Sequence, residues 1–158
     1  MANLLVVFHS KGGNTERMAE AVAEAAGEAG AQVTLKSVEE TAAEELQHFD
    51  AIIAGSPTYY GLLSAPLKAL LDESVQWHGK LTGKVGGAFT SSANVGGGNE
   101  TTILSILQAM LIHGMVVQGT AAGDHYGPVA IGRPEERALD GARALGKRVA
   151  ELAEKLHG

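Results

Sequence analysis

The chain has no cysteine, a single tryptophan, and aromatic residues at only 4% of its 158 positions. Without thiols there are no disulfides, no cysteine-ligated iron–sulfur cluster and no thiol nucleophile, and a reducing cytoplasm is acceptable. Basic residues are in deficit. Twelve Lys and Arg against 18 Asp and Glu leave a formal charge of −6, the opposite of the basic surface a nucleic-acid binder presents. No apolar run approaches the roughly 20 residues of a membrane-spanning helix. The first residues carry no basic segment ahead of an apolar one, so they do not read as a signal peptide. Metal-ligand spacing such as His-Glu-x-x-His is missing, and no metal is expected. What remains is a globular composition, 45% hydrophobic and 19% charged. It predicts one cytoplasmic domain over residues 1–158, with neither nucleic acid nor membrane as a partner.

Short apolar runs alternate with helical stretches along the whole length. Leu4–Phe8 is a strand of the kind buried on both faces. Thr15–Ala29 carries Met18, Ala19, Val22, Ala25 and Ala26 on one stripe and is stopped by Gly30, the pattern of an amphipathic helix. Strands follow at Gln32–Lys36, Ala51–Gly55, Val85–Thr90 and Met115–Gln118. Helices are expected at Leu62–Val75 and Asn99–His113, with a last one opened by Pro134 and running to about Leu156. Strand–helix alternation of this kind builds βαβ units with right-handed crossovers. The predicted fold is α/β, a flavodoxin-like three-layer sandwich around a five-stranded parallel sheet in the order 2-1-3-4-5. Ligands of such sheets bind beyond the carboxyl ends of the strands, which singles out the loops after strands one, three and four.

The first loop, Ser10-Lys11-Gly12-Gly13-Asn14-Thr15, joins a strand to a helix. Its glycines let backbone N–H groups approach an anion, the helix end adds positive potential, and three side chains add neutral donors. It is neither a Walker loop nor a dinucleotide fingerprint. It suits a terminal phosphate monoester, or else a glycine turn into a helix capped by Asn14 or Thr15. In the second loop, Gly55-Ser56-Pro57-Thr58-Tyr59-Tyr60-Gly61, two adjacent tyrosines offer flat rings for a planar heterocycle, or one of them packs on the following helix. The third, Ser91-Ser92-Ala93-Asn94-Val95-Gly96, followed by two more glycines, offers small hydroxyls and backbone donors to a polar edge. Phosphate nest, aromatic wall and polar slot together describe a flavin mononucleotide site.

The segments "SKGGNT", "GSPTYYG", "TSSANVGGGNETT", "IHGMVV" and "HYGPVAIG" resemble the WrbA-like branch of the flavodoxin-like proteins, NAD(P)H:quinone oxidoreductases that bind FMN. The resemblance runs from the first strand to the last helix. It implies that Ser10 to Thr15 hold the phosphate, that Thr58 to Tyr60 line the flavin and that Ser91 to Gly96 contact the ring system. It also implies that Trp77 reaches the flavin of a neighbouring subunit in a homodimer or homotetramer and helps to wall the quinone site. The chain departs from the family pattern in being shorter between the second and third strands and after the fifth. Gly12 stands where an aromatic is usual, Tyr59 where an Arg is usual and Ile112 where a His is usual.

The expected activity is transfer of two electrons from NAD(P)H through FMN to a quinone. The alternative is a flavodoxin-type carrier passing single electrons between proteins. Such carriers stabilise the one-electron flavin through a carbonyl that rotates toward N5, easiest at Gly or Asn; Thr58-Tyr59-Tyr60 has neither. Among the histidines, His125 follows the fifth strand on the side of the site and is either a donor to a flavin or quinone oxygen or a plain loop histidine. His9 is expected to pack, His113 to cap a helix end through carbonyls, and His48, His78 and His157 to lie on the surface.

Overall fold

Six strands and four helices alternate through the computed structural model, which describes all 158 residues. β1 (Asn3–Phe8), α1 (Asn14–Glu28), β2 (Gln32–Ser37) and β3 (Ala51–Pro57) come first. α2 (Ala65–Glu73), β4 (Val85–Ser92) and α3 (Asn99–Ile112) follow, then β5 (Val116–Val117), β6 (Val129–Ile131) and α4 (Glu136–His157). All pairings are parallel, in the order β2-β1-β3-β4-β5, with β6 also beside β4. This is the predicted flavodoxin-like order with one more strand.

Side-chain alternation on the central strands divides the core into two layers. Leu4, Val6 and Phe8 of β1 pack with Met18 and Val22 of α1 and with Leu145 and Val149 of α4. Leu5 and Val7 face the other way, against Leu67 of α2 and Ile103 and Ile106 of α3. Each such side chain removed from water is worth about 1.5–3 kcal/mol. Burial on both faces explains why β1 reads as an unbroken apolar run.

Several boundaries differ from the sequence expectation. The helix expected from Leu62 begins at Ala65, because Tyr59 and Leu62 close a tight turn by exchanging backbone hydrogen bonds of 3.0 and 3.2 Å. It ends at Glu73 and passes into a 3-10 turn, Ser74–Trp77. Pro134 lies outside α4, whose first residue is Glu136 after an extended Glu135. The fifth strand is split: Val116–Val117 pairs with Val85–Gly86 near the start of β4, and Val129–Ile131 pairs with Thr90–Ser92 at its end. Residues 118–128 loop out between the two. No helix is long and apolar enough to cross a membrane.

Candidate functional site

The three singled-out loops meet in one cleft of about 430 Å³ at the carboxyl ends of β1, β3 and β4. That volume lies within the usual range for a small-molecule site. Ser10, Lys11, Gly12, Asn14 and Thr15 line it from the first loop, Pro57, Thr58 and Tyr59 from the second, and Ser91, Ser92 and Ala93 from the third. Gly13, Tyr60, Gly61, Asn94, Val95 and Gly96 belong to the same loops but are not part of the lining. Gly132, just after β6, is. Its N–H donates to the Ser92 carbonyl at 2.7 Å.

The first loop leaves β1 beside β3, with the His9 N–H donating to the Gly55 carbonyl at 3.1 Å. Ser10 then folds the loop: its Oγ accepts the Gly13 N–H at 3.1 Å. Gly13, at φ 96°, is the residue before α1, and no side chain caps that helix. Capping by Asn14 or Thr15, the competing explanation of this stretch, is therefore not what these residues do. Thr15 is buried and its hydroxyl lies 2.8 Å from that of Ser91. An uncapped helix start beside Ser10, Lys11 and Asn14 suits an anion, through N–H donors and the positive end of the helix dipole. Lys11 is the one charged side chain of the lining.

The second and third loops are cross-linked. Thr90 Oγ1 donates to the Ser56 carbonyl at 2.7 Å, so the 2.9 Å contact between the Thr58 and Thr90 hydroxyls has Thr58 as the donor. Thr58 N–H donates to the Ser91 carbonyl at 2.8 Å. Ser56 Oγ donates to the Pro57 carbonyl at 2.7 Å and accepts the Ser64 N–H at 2.8 Å. The backbone from Ser56 to Thr58 is thus held at nearly every polar group. Tyr59 forms a wall of the cleft, whereas Tyr60 stands in solvent with φ +49°, the one non-glycine residue with positive φ. Gly98 shows why the third loop ends in glycine: a Cβ there would fall 2.4 Å from the Gly61 Cα. That glycine serves loop-to-loop packing, not room for a ligand.

His9 proves to be part of the surroundings of the site. Its ring meets Tyr59 edge-on, with centroids 6.2 Å apart, and Nε2 lies 3.9 Å from Glu39. His125 does not line the cleft. It sits in a smaller, separate hollow with Glu100 and Tyr126, and its Nδ1–H donates to the Thr120 carbonyl at 3.0 Å. Trp77 is half-buried against the core layer shared with Leu71 and Phe49, beyond the end of α2. His113 is buried and pairs through Nε2 with the Ser74 hydroxyl at 2.7 Å, not with carbonyls as expected. Burial, with His78 nearby, holds its pKa below the ordinary histidine value.

Residues 5–95 match the protein family described as Flavodoxin domain. A protein of Archaeoglobus fulgidus named NAD(P)H dehydrogenase (quinone) is 42% identical over 190 aligned positions, covering 99% of this chain and 100% of its own. One of Methylocella silvestris with the same name is 38% identical over 199 positions, covering both chains fully. Both alignments are longer than this chain, as the expectation of a shortened family member requires. Among solved structures, the flavodoxin, WrbA-like protein from Agrobacterium tumefaciens superposes with a TM-score of 0.84 at 33% identity over 99% of each chain. A flavodoxin from the domain Archaea reaches 0.81 at 28% identity over 96% of this chain and 99% of its own. The chain belongs to the flavodoxin-like proteins, in their WrbA-like branch.

Proposed function

We propose that the protein is an FMN-dependent NAD(P)H:quinone oxidoreductase, with residues 1–158 acting as one flavin-binding unit in the cytoplasm. The observation that carries this is the meeting of an uncapped helix start, an aromatic wall and a hydroxyl-lined slot in a single cleft. The donor set fits FMN. The phosphate end has neutral donors and one Lys, and space is open beside Gly12, where a Cβ would have no atom within 4 Å. FMN would supply reversible uptake of a hydride from the nicotinamide and its delivery to the second substrate.

The chain's own residues bind and orient. Ser10, Asn14, Thr15 and the first N–H groups of α1 hold the phosphate, with Lys11 adding charge at the rim. Tyr59, steadied by the His9 ring, covers one side of the ring system, while Ser91, Ser92, Ala93 and Gly132 face its polar edge. The hydrogen bonds on Ser56, Pro57 and Thr58 oppose rotation of that backbone, which favours two-electron turnover over the single-electron carrier. His125 acts at most at the rim, and Trp77 contributes from a second subunit of a homodimer or homotetramer. The names carried by the full-length relatives support the same activity.

The test is direct. Purified protein should show the absorbance of an oxidised flavin, bind FMN more tightly than riboflavin, bleach with NADH or NADPH under anaerobic conditions and recover on adding benzoquinone. Failure to bleach with either nicotinamide would remove the enzyme reading and leave the carrier.

A further inference from the structure

A second polar cleft, of about 320 Å³, lies between α4 and the loop joining β5 to β6. Its helical side is Arg137, Asp140, Gly141, Ala144 and Arg148, spaced so as to share one face of α4. Gly141 lies under Pro128, where a Cβ would come within 3.1 Å of the ring. Pro128 thus packs over Gly141, and the small, exposed Ala144 leaves room on the side toward Arg148.

The two arginines are in different states. Arg137 donates to both carboxylate oxygens of Asp124, at 2.8 and 3.4 Å, and Asp124 also accepts the Val129 N–H at 3.0 Å. Asp140 accepts from Arg143 at 2.7 Å. Both acids of the cleft are thus engaged. Arg148 forms no salt bridge, and its Nε is buried with no hydrogen-bond partner. Burial disfavours its charge. The half-buried guanidinium thus keeps one N–H out of water without a partner, which is unfavourable, and its planar fork is matched by an oxyanion that accepts two parallel N–H donors.

We propose that this cleft binds the oxyanionic end, phosphate or carboxylate, of a small polar metabolite, with Arg148 as the residue that selects for the charge. Arg148 lies eleven positions after Arg137, roughly 16 Å along the helix, so the ligand is gripped at one end. Its uncharged remainder lies over Ala144, on the side toward the Arg137–Asp124 pair. The site is separate from the flavin cleft and does not depend on the activity proposed above.

The experiment uses isotope-labelled protein saturated with FMN, which keeps added phosphate out of the Ser10–Thr15 loop. The Arg148 Nε–H resonance is followed by NMR during titration with inorganic phosphate and, separately, with malonate. A saturable shift is expected with at least one probe, and the one that binds tighter assigns the chemical class. Arg148→Gln should weaken that binding about tenfold or more, read from neighbouring amides. So should Ala144→Glu, whose carboxylate, four residues before Arg148, occupies the guanidinium from within. The Glu variant keeps the question decidable if the Gln variant does not fold. No saturation at tens of millimolar of either probe, or unchanged binding in both variants, overturns the proposal. Failure of FMN to bind would show in the flavin spectrum and not at Arg148, so the two readings fail separately.

Discussion

The hydroxyls of Thr15 and Ser91 lie 2.8 Å apart and buried, 76 residues apart in sequence. This contact ties the first turn of α1 to the end of β4, the proposed phosphate end of the cleft to its flavin-edge side. Thr15→Ala removes a donor near the phosphate and leaves the Ser91 hydroxyl without its partner. Such losses cost about 1–3 kcal/mol, so FMN affinity should fall roughly five- to a hundredfold, with riboflavin affected much less and Thr15→Ser close to wild type. Equal losses for FMN and riboflavin in calorimetric titrations would confine Thr15 to the cross-link alone.

Tyr60 holds φ +49° although its side chain is exposed and packs on nothing that would require tyrosine. Left-handed backbone costs a non-glycine residue about 1–2 kcal/mol. Tyr60→Gly should relieve that cost, partly offset by the freer unfolded chain. The expected net gain is up to about 1 kcal/mol in urea unfolding. The stretch just before this turn is where the two-electron reading can be tested. With Ser56, Pro57 and Thr58 held by the Thr90 and Ser56 hydroxyls, photoreduction of the wild type should build up little long-wavelength absorbance from one-electron-reduced flavin. Thr90→Ala frees the Ser56 carbonyl and should raise that band. A strong band already present in the wild type would favour the carrier.

The three loops were legible because each follows directly on an apolar run, so strand order alone brings Ser10–Thr15, Pro57–Tyr59 and Ser91–Ala93 together. Gly132 was not. Its strand, Val129–Ile131, is three residues long and is defined by pairing with Thr90–Ser92, a partner distant in sequence. Nor was the late start of α2, since Leu62 and Leu63 fit the helical pattern but the turn closed by Tyr59 and Leu62 takes precedence. His9 packs as expected, but nothing local shows that its neighbour is Tyr59, a wall of the cleft. The Arg148 cleft depends on which acids are already paired, and only the fold decides that.

His113 predicts a pH effect on stability. Its pKa is lowered by burial, so between the folded and unfolded values the unfolded chain binds more protons. Stability is full above the ordinary histidine value of about 6.5 and falls as pH drops through it toward the lowered folded-state value. Urea unfolding on either side of that value should show the decline, and His113→Gln should flatten it. An unchanged slope in the variant would assign the effect to other groups.

His125 is tethered through Nδ1 to Thr120 and faces a hollow that shares no lining residue with the site. His125→Ala should leave FMN binding unchanged and lower quinone kcat/KM by only a fewfold. A loss of two orders of magnitude, about 2.7 kcal/mol of barrier, would restore it as a proton donor.

Trp77 is the sharpest test of the assembly. α2 spans nine residues, roughly 13 Å, and the 3-10 turn after it carries Trp77 farther from the Tyr59 loop of its own subunit. The partly buried ring packs against the α2–α3 core layer, so truncation to Ala would confuse lost packing with lost contact. Trp77→Leu keeps most of that packing. If the exposed part of the ring walls a partner's quinone site, this variant should retain FMN and its melting temperature within a few degrees, while the quinone KM rises and kcat stays near the wild-type value. Sedimentation of the wild type should show a dimer or tetramer at micromolar concentration. A monomer with wild-type turnover in the Leu variant would make Trp77 a packing residue, and the quinone would then have to be held by Tyr59 and the third loop alone.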